Sequence, residues 1–264
     1  MLVSLPMYGI HPQDVQPFWQ RLSCQLRHHG VTGVEEQLIW PSDLLQHWRD
    51  PNMLLSQTCG FPLVTSLRQQ VQLVGVLGYQ SPYCTGPYYR SLVVVRENEE
   101  GQRLADFRHR IVTYNSTDSQ SGYNALRALI APLAVNGGFF SRGLVSGGHY
   151  QSIEMIQQGQ ADIAAIDCVS FALLQRAKPT AVAGLKIIAL TEAAPGLPLI
   201  TSLSTSQEQL LRIRQAITAT VNSPTSTSAK NKLLIGTFTV LPWTAYDVIS
   251  QMQKKAFALG VTTV

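Results

Sequence analysis

The chain has 264 residues, of which 45% are apolar and only 14% are charged, against roughly 25% charged in an average soluble domain. This length suffices for one large core or two modest ones. The net charge of +4 comes from Lys and Arg scattered along the sequence. Because there is no basic run and no interleaving of basic and aromatic residues, we exclude nucleic acid as a partner.

The cysteine pattern and the apolar runs exclude further classes of protein. Cys24, Cys59, Cys84 and Cys168 are far apart and none forms a CxxC pair, so we predict buried thiols, no metal site and no cofactor. No stretch approaches the roughly 18 uninterrupted apolar residues of a membrane span. The N-terminus has no cationic start and Pro6 breaks its apolar run, so the sequence as given predicts a cytoplasmic protein, or a periplasmic one if a leader was removed.

In the first third of the chain, strand patterns surround one amphipathic helix. The predicted strands are 2–8, 34–40, 53–59 and 71–79, and the helix is 15–30. A connector rich in Pro, Gly and Tyr follows at Pro82–Arg90.

The middle of the chain alternates strands and helices, a repeat that favours a parallel sheet covered by helices. The predicted strands are 91–98, 109–115, 143–147 and 161–167, and the predicted helices are 121–135, 149–159 and 168–177. A strand pattern at 185–201 runs into a second connector, Pro195–Ser202. The last part predicts helices at 206–221 and 245–260 around an apolar run at 232–242.

The two connectors predict a chain that leaves its first domain, builds a second and returns. We therefore expect one lobe from residues 1–86 and 200–264 and another from 87–199. In α/β proteins, clefts at domain interfaces and at the carboxyl ends of parallel strands are the usual places for small ligands.

The turn before the helix at 121–135 is unusually rich in serine. Ser119 and Ser121 fall at or beside the N-cap, where free backbone N–H groups and the helix dipole favour an anion, and Gly122 would let a ligand approach the backbone. The simpler interpretation is that one serine only caps the helix.

Two later strand ends carry polar residues at corresponding places. His149 opens the next helix and could donate to an anion, or it could simply cap or pack. Asp167 ends the following strand and would need a protonated ligand oxygen or a ligand amine as its partner. Asp162 is expected to tether the start of that strand, and Tyr8 could close a pocket from the first lobe.

The segment from Asn115 to Ile130, with Gly137–Asp167, resembles the phosphate, phosphite and phosphonate substrate-binding proteins of ABC transporters. That resemblance implies a type II periplasmic-binding-protein fold, in which each of two lobes is a mixed, mainly parallel sheet flanked by helices. It also implies a monomer that closes by hinge motion on an oxyanion in the cleft between the lobes, with an ABC transporter permease as partner.

The residues that the resemblance places at the ligand are Tyr8, Ser119, Gln120, Ser121, Gly122, His149 and Asp167. Gln120 stands where members of the family often have threonine, which removes one hydroxyl donor. No catalytic motif such as GxSxG or HExxH is present, so we expect a binding protein and no catalytic residues. The alternative is a cytosolic enzyme on the same fold, of the menaquinone- or thiamine-precursor type.

Overall fold

The computed structural model describes residues 1–8 and 12–264. Its strands are β1 (Leu2–Ser4), β2 (Met53–Gln57), β3 (Val71–Tyr79), β4 (Tyr88–Tyr89), β5 (Ser91–Arg96), β6 (Ile111–Tyr114), β7 (Arg142–Val145), β8 (Ile163–Asp167), β9 (Leu185–Leu190), β10 (Ala194–Pro195), β11 (Pro198–Ser202) and β12 (Ile235–Thr239). Its α-helices are α1 (Pro12–His28), α2 (Leu44–Trp48), α3 (Gly60–Thr65), α4 (Ala125–Ile130), α5 (His149–Gln157), α6 (Cys168–Ala177), α7 (Gln207–Asn222), α8 (Thr227–Lys232) and α9 (Asp247–Ala258). A π-helical turn, Gln120–Asn124, runs directly into α4.

The chain forms two compact units. Unit 1 contains Met1–Tyr88 and Pro195–Ala245, and unit 2 contains Tyr89–Ala194 and Tyr246–Val264. The chain thus passes between units within β4 and within β10, close to the two predicted connectors, and a third time after Ala245. The division differs from the predicted one at the C-terminus, because residues 246–264 belong to the second unit.

Unit 1 is built on a five-stranded sheet in the order β1-β2-β11-β3-β12. Residues from α1, α7 and the sheet form its core, in which Phe18, Trp19 and Ile213 are almost completely buried. The apolar face of α1 explains the helix, since the buried Phe18, Leu22 and Leu26 recur at the spacing of helical turns.

Unit 2 is built on a five-stranded sheet in the order β7-β6-β8-β5-β9. Strand β6 pairs in parallel with both β7 and β8, so the loops that follow β6 and β7 leave the same edge of the sheet. This arrangement places the serine-rich turn beside the start of α5.

The mixed α/β fold is confirmed, but the sheets contain more antiparallel pairing than the expected mainly parallel arrangement. In the described part of unit 1, β1 and β2 form the one parallel pair, and β11 runs antiparallel to β2 and β3. In unit 2, β5 runs antiparallel to β8 and β9. The strands β5 and β11 follow the passages between units, where no crossover helix constrains the strand direction.

Two other expectations need correction. The predicted strand at 34–40 has no regular secondary structure, because its backbone is held by isolated contacts such as the bond from Ile39 N–H to the Val3 carbonyl. Helix α9 belongs to unit 2 because Met252 and Ala256 are buried there, and Ile249 accepts a hydrogen bond from Asn124. An amphipathic pattern shows that a helix has a buried face but not which core receives it.

An ion-pair cluster ties the strands of unit 2 together at the end remote from the serine-rich turn. Arg96 donates to Asp162 Oδ1 at 2.8 Å, to Glu99, and to the carbonyls of Ile156 and Ala161. Asp162 also accepts from the Ile111 N–H at 2.9 Å, which is the tether predicted from the sequence.

Replacing Arg96 with methionine is therefore expected to lower the free energy of unfolding by about 2 kcal/mol, since it leaves largely buried carboxylates and carbonyls without a donor. Urea unfolding measures the loss. Arg103→Met is the control, because Arg103 is 82% exposed in its ion pair with Asp106 and should cost less than about 0.5 kcal/mol. Equal losses in the two variants would contradict a stabilising role for the Arg96 ion-pair cluster.

Candidate functional site

The serine-rich turn forms the N-terminus of a continuous helical segment, Gln120–Ile130. Ser119 has an extended backbone and caps the segment, since its Oγ accepts from the Gly122 N–H at 3.0 Å. The first turn is π-helical, with the Asn124 N–H bonded to the Ser119 carbonyl, a local geometry often found at functional sites. The predicted capping role is thus confirmed for Ser119, but it does not account for Ser121.

Ser121 contacts His149, the first residue of α5. The Ser121 Oγ lies 2.9 Å from His149 Nε2 and 3.5 Å from Ser119 Oγ. The first N–H groups of both helices have no acceptor within their own helix. The structure therefore brings together two hydroxyls, an imidazole and two helix N-termini, all of which favour negative charge.

Burial holds the His149 imidazole in its neutral form. The residue is partly buried, and its Nδ1 is covered and has no hydrogen-bond partner among the described residues. Loss of hydration lowers the pKa of His149 from its usual 6.5 to about 4. An anion placed against the imidazole would oppose this shift and favour protonation.

The loop before α5 is fixed to the serine-rich turn by backbone and side-chain bonds. The Gly147 N–H donates to the Asn115 carbonyl at 3.0 Å, and the Ser146 N–H donates to the Tyr114 carbonyl at 2.8 Å. Ser146 Oγ lies 2.7 Å from Ser152 Oγ. Gly147 has a φ of +90°, which a residue with a side chain rarely adopts, so the sequence Ser-Gly-Gly-His suits this turn.

Gly122 is required by a neighbouring side chain. A Cβ at this position would lie 2.0 Å from Asn115 Oδ1, and that oxygen is buried without a hydrogen-bond partner. The Asn115 amide thus lies in the space beside Gly122 that we expected a ligand to use.

We expect Gly122→Ala to lower the free energy of unfolding by about 1–2 kcal/mol through overpacking, although alanine is the better helix former. The double variant Asn115→Ala, Gly122→Ala should recover most of this loss, which thermal unfolding would show. If Asn115→Ala gave no recovery in the Gly122→Ala background, the contact would not be the reason for glycine.

Two predicted ligand residues are engaged in the fold. Gln120 is buried, and its amide donates to Met252 Sδ and accepts from Asn124 Nδ2 at 2.8 Å. Asp167 caps α6, since its Oδ1 accepts from the N–H groups of Val169 at 2.7 Å and Ser170 at 3.0 Å. Contact of either residue with a ligand stays a prediction.

Tyr8 lies in unit 1, beyond the end of β1 at Ser4. Its ring is buried and packs edge-on against Tyr79, with centroids 4.7 Å apart. The Tyr79 hydroxyl accepts from Gln57 Nε2 at 3.1 Å. A role for Tyr8 at the ligand likewise stays a prediction.

Sequence reasoning missed the residues that support the turn from behind. Asn124 donates to the Ile249 carbonyl at 3.1 Å and accepts from Arg127 Nη2 at 2.9 Å. Both side chains are buried polar groups on a helix that otherwise presents apolar residues. Polar residues at the buried positions of an apolar helical pattern were the signal that could have revealed them.

The described part of the chain has neither a metal-binding cluster nor a membrane-spanning helix. Between residues 1 and 8 and between 12 and 264, no group of three His, Cys, Asp or Glu side chains is arranged to hold a metal ion. Within the same ranges, every helix is too short or too polar to cross a membrane.

The sequence matches the profile of a known family over residues 52–241, which is more than two thirds of the chain. That family comprises periplasmic substrate-binding proteins of ABC phosphonate transporters. The chain belongs to this family. Its members bind substrates and are not enzymes as a class. No curated protein matches the chain.

Solved structures of two-lobed binding proteins share the fold. The binding component of an ABC phosphonate transporter from Pseudomonas aeruginosa has a TM-score of 0.78 at 16% identity, with 98% of this chain and 87% of that chain covered. PhnD1 from Prochlorococcus marinus, solved with methylphosphonate, has a TM-score of 0.77 at 16% identity, covering 96% and 97%. A Xanthomonas citri protein bound to ATP has a TM-score of 0.72 at 14% identity, covering 98% of each chain.

Proposed function

We propose that this protein captures a small tetrahedral oxyanion, namely a phosphonate, phosphite, phosphate or phosphate ester, for ABC-type uptake. The observation that carries the proposal is the 2.9 Å contact between Ser121 Oγ and His149 Nε2 at two neighbouring helix N-termini. A phosphonate oxygen accepts hydrogen bonds from donors of this kind, namely hydroxyl, imidazole and backbone N–H groups.

The tautomer of His149 decides what Ser121 can offer a ligand. When Nε2 is unprotonated it accepts the Ser121 hydroxyl proton, and when Nε2 carries a proton it donates to Ser121 Oγ. In the second case the Ser121 proton is free to point at an anion. An approaching anion favours the imidazolium form of His149, which takes up its second proton from solvent. The imidazolium enforces this second arrangement, so the pair becomes a set of donors when the ligand binds.

The same geometry supports capture without chemistry. A serine nucleophile needs a base that is itself oriented by a third group, whereas His149 Nδ1 has no partner among the described residues. In the proposal, Tyr8 and Asp167 are further ligand contacts, and Asp167 would meet a protonated oxygen or an amine of the ligand.

Methylphosphonate is the first ligand to test, because the Prochlorococcus relative binds it. Thermal-shift measurements on the purified protein would use methylphosphonate, aminoethylphosphonate, phosphite, phosphate and a nucleoside monophosphate. A ligand at a hundred times its Kd adds about 2.7 kcal/mol, which raises the Tm of a protein of this size by about 5 °C or more. A shift with at least one of these anions is expected, and none with any of them would contradict the proposal.

A further inference from the structure

Arg127 is a buried cation one turn behind the serine-rich turn. Its side chain is only 3% exposed, and its guanidinium lies 5.2 Å from the Tyr123 ring centroid and 4.8 Å from that of Phe257. Nη1 donates to the Thr262 carbonyl at 3.0 Å, and Nη2 donates to Asn124 Oδ1 at 2.9 Å.

This guanidinium has neutral partners only. No carboxylate of the described residues forms an ion pair with Arg127, and its buried Nε has no hydrogen-bond partner. Buried arginines are normally paired with acids, since an unpaired buried charge is costly. Two aromatic faces offset only part of that cost, and burial lowers the pKa of Arg127 from its usual value.

A chain of hydrogen bonds connects this charge to the proposed site. Asn124 accepts from Arg127 and donates to Gln120 Oε1 at 2.8 Å, and the Asn124 N–H donates to the Ser119 carbonyl. The guanidinium is thus two side-chain hydrogen bonds away from the first residue of the π-helical turn. A cation so placed adds to the positive end of the helix, with little solvent to screen it.

We infer that Arg127 is a positioning residue whose uncompensated charge makes the Ser121–His149 site select doubly charged over singly charged tetrahedral anions. The inference rests on the proposed function. The Coulomb energy of a fixed cation is proportional to the ligand charge. If removing the cation weakens binding of a monoanion by a certain factor, it should therefore weaken binding of a dianion of the same shape by the square of that factor.

Methylphosphonate at pH 9, as the dianion, and methanesulfonate, as the monoanion, are probes of matched shape. We expect calorimetry to show that Arg127→Gln weakens methylphosphonate about tenfold and methanesulfonate about threefold. A variant that only distorts the turn would weaken both anions by one common factor, and that result would overturn the inference.

Arg108→Gln is the matched control. Arg108 also stacks on an aromatic ring, at 5.2 Å from the Phe139 centroid, and donates to the Leu133 carbonyl beyond the far end of α4. Both Kd values should stay within twofold of wild type in this variant. A change in the ratio as large as that of Arg127→Gln would overturn the assignment to Arg127.

A measurement on the wild type covers the case in which Arg127→Gln does not fold. A buried charge is screened little by salt, so the ratio of the two Kd values should persist between 50 and 500 mM NaCl (about 14 and 4 Å Debye lengths). Collapse of the ratio to one at high salt would overturn the inference. Failure of the wild type to bind either anion would instead overturn the proposed function, and this inference with it.

Discussion

Replacing Ser121 with aspartate is expected to abolish oxyanion binding. A carboxylate at this position would stand beside His149 Nε2, which lies 2.9 Å from the native hydroxyl, and would compete with a ligand for the imidazole. It would also repel the anion and remove a donor, and a like-charge contact in a poorly solvated site costs several kcal/mol. We expect a loss of at least about a hundredfold in affinity for methylphosphonate, or about 2.7 kcal/mol, measured by calorimetry.

Ser121→Asn separates charge from size in that experiment. Asparagine has nearly the shape of aspartate but is neutral and keeps donor capacity. We expect a loss of about tenfold, or about 1.4 kcal/mol, for the lost hydroxyl geometry. Wild-type affinity in Ser121→Asp would show that the turn is only a helix cap, and equal losses in both variants would show that charge is not the cause.

The affinity for a dianion of fixed charge is expected to rise as the pH falls. Burial lowers the pKa of His149 to about 4 in the free protein, whereas a bound dianion favours the imidazolium and raises that pKa. At a pH between the pKa of His149 in the free protein and its pKa in the complex, binding takes up a proton. The affinity therefore increases by up to about tenfold for each pH unit by which the pH falls. For sulfate, calorimetry should show at least about a tenfold gain between about pH 7.5 and about pH 5.5.

Two asparagine variants identify the group that takes up the proton. His149→Asn should remove the pH dependence, while His109→Asn should retain it. His109 is exposed, and its φ of +62° is one that asparagine tolerates. An affinity for sulfate that does not change with pH in the wild type would contradict the role given to His149.

The same shift has a consequence for stability without ligand. Because the folded pKa of His149 is depressed, the unfolded chain binds more protons between about pH 6.5 and about pH 4. The contribution of His149 to stability is therefore complete above the unfolded pKa and is lost as the pH falls towards 4. Anion binding should offset part of that loss.

The local features of the site could be predicted from the sequence. One feature is the serine-rich turn between β6 and the helical segment after it, and the other is the Ser-Gly-Gly-His turn before α5. Both depend on helix capping and backbone freedom, which act over a few residues. Their meeting followed from strand order, since β6 and β7 are parallel neighbours. The predicted residues Ser119, Ser121 and His149 therefore come together as expected.

Long-range packing accounts for what the sequence did not reveal. Gln120 turns towards Met252, a residue 132 positions later in the chain, and no local pattern specifies such a partner. Arg127 was visible only as the first charge of an apolar helix, and its bond to Thr262 depends on the C-terminal segment joining unit 2. The direction of β5 and β11 likewise depends on how the chain passes between units, which periodicity does not report.

A crystal structure of the protein grown with methylphosphonate tests the central claim most directly. The account predicts phosphonate oxygens within hydrogen-bonding distance of Ser121 Oγ and His149. Unit 1 offers a different place for an anion, an open groove of about 690 Å³ that is lined in part by Arg68, Arg214 and Trp243. Methylphosphonate in that groove, with the Ser121–His149 pair unchanged and free of ligand, would contradict the account.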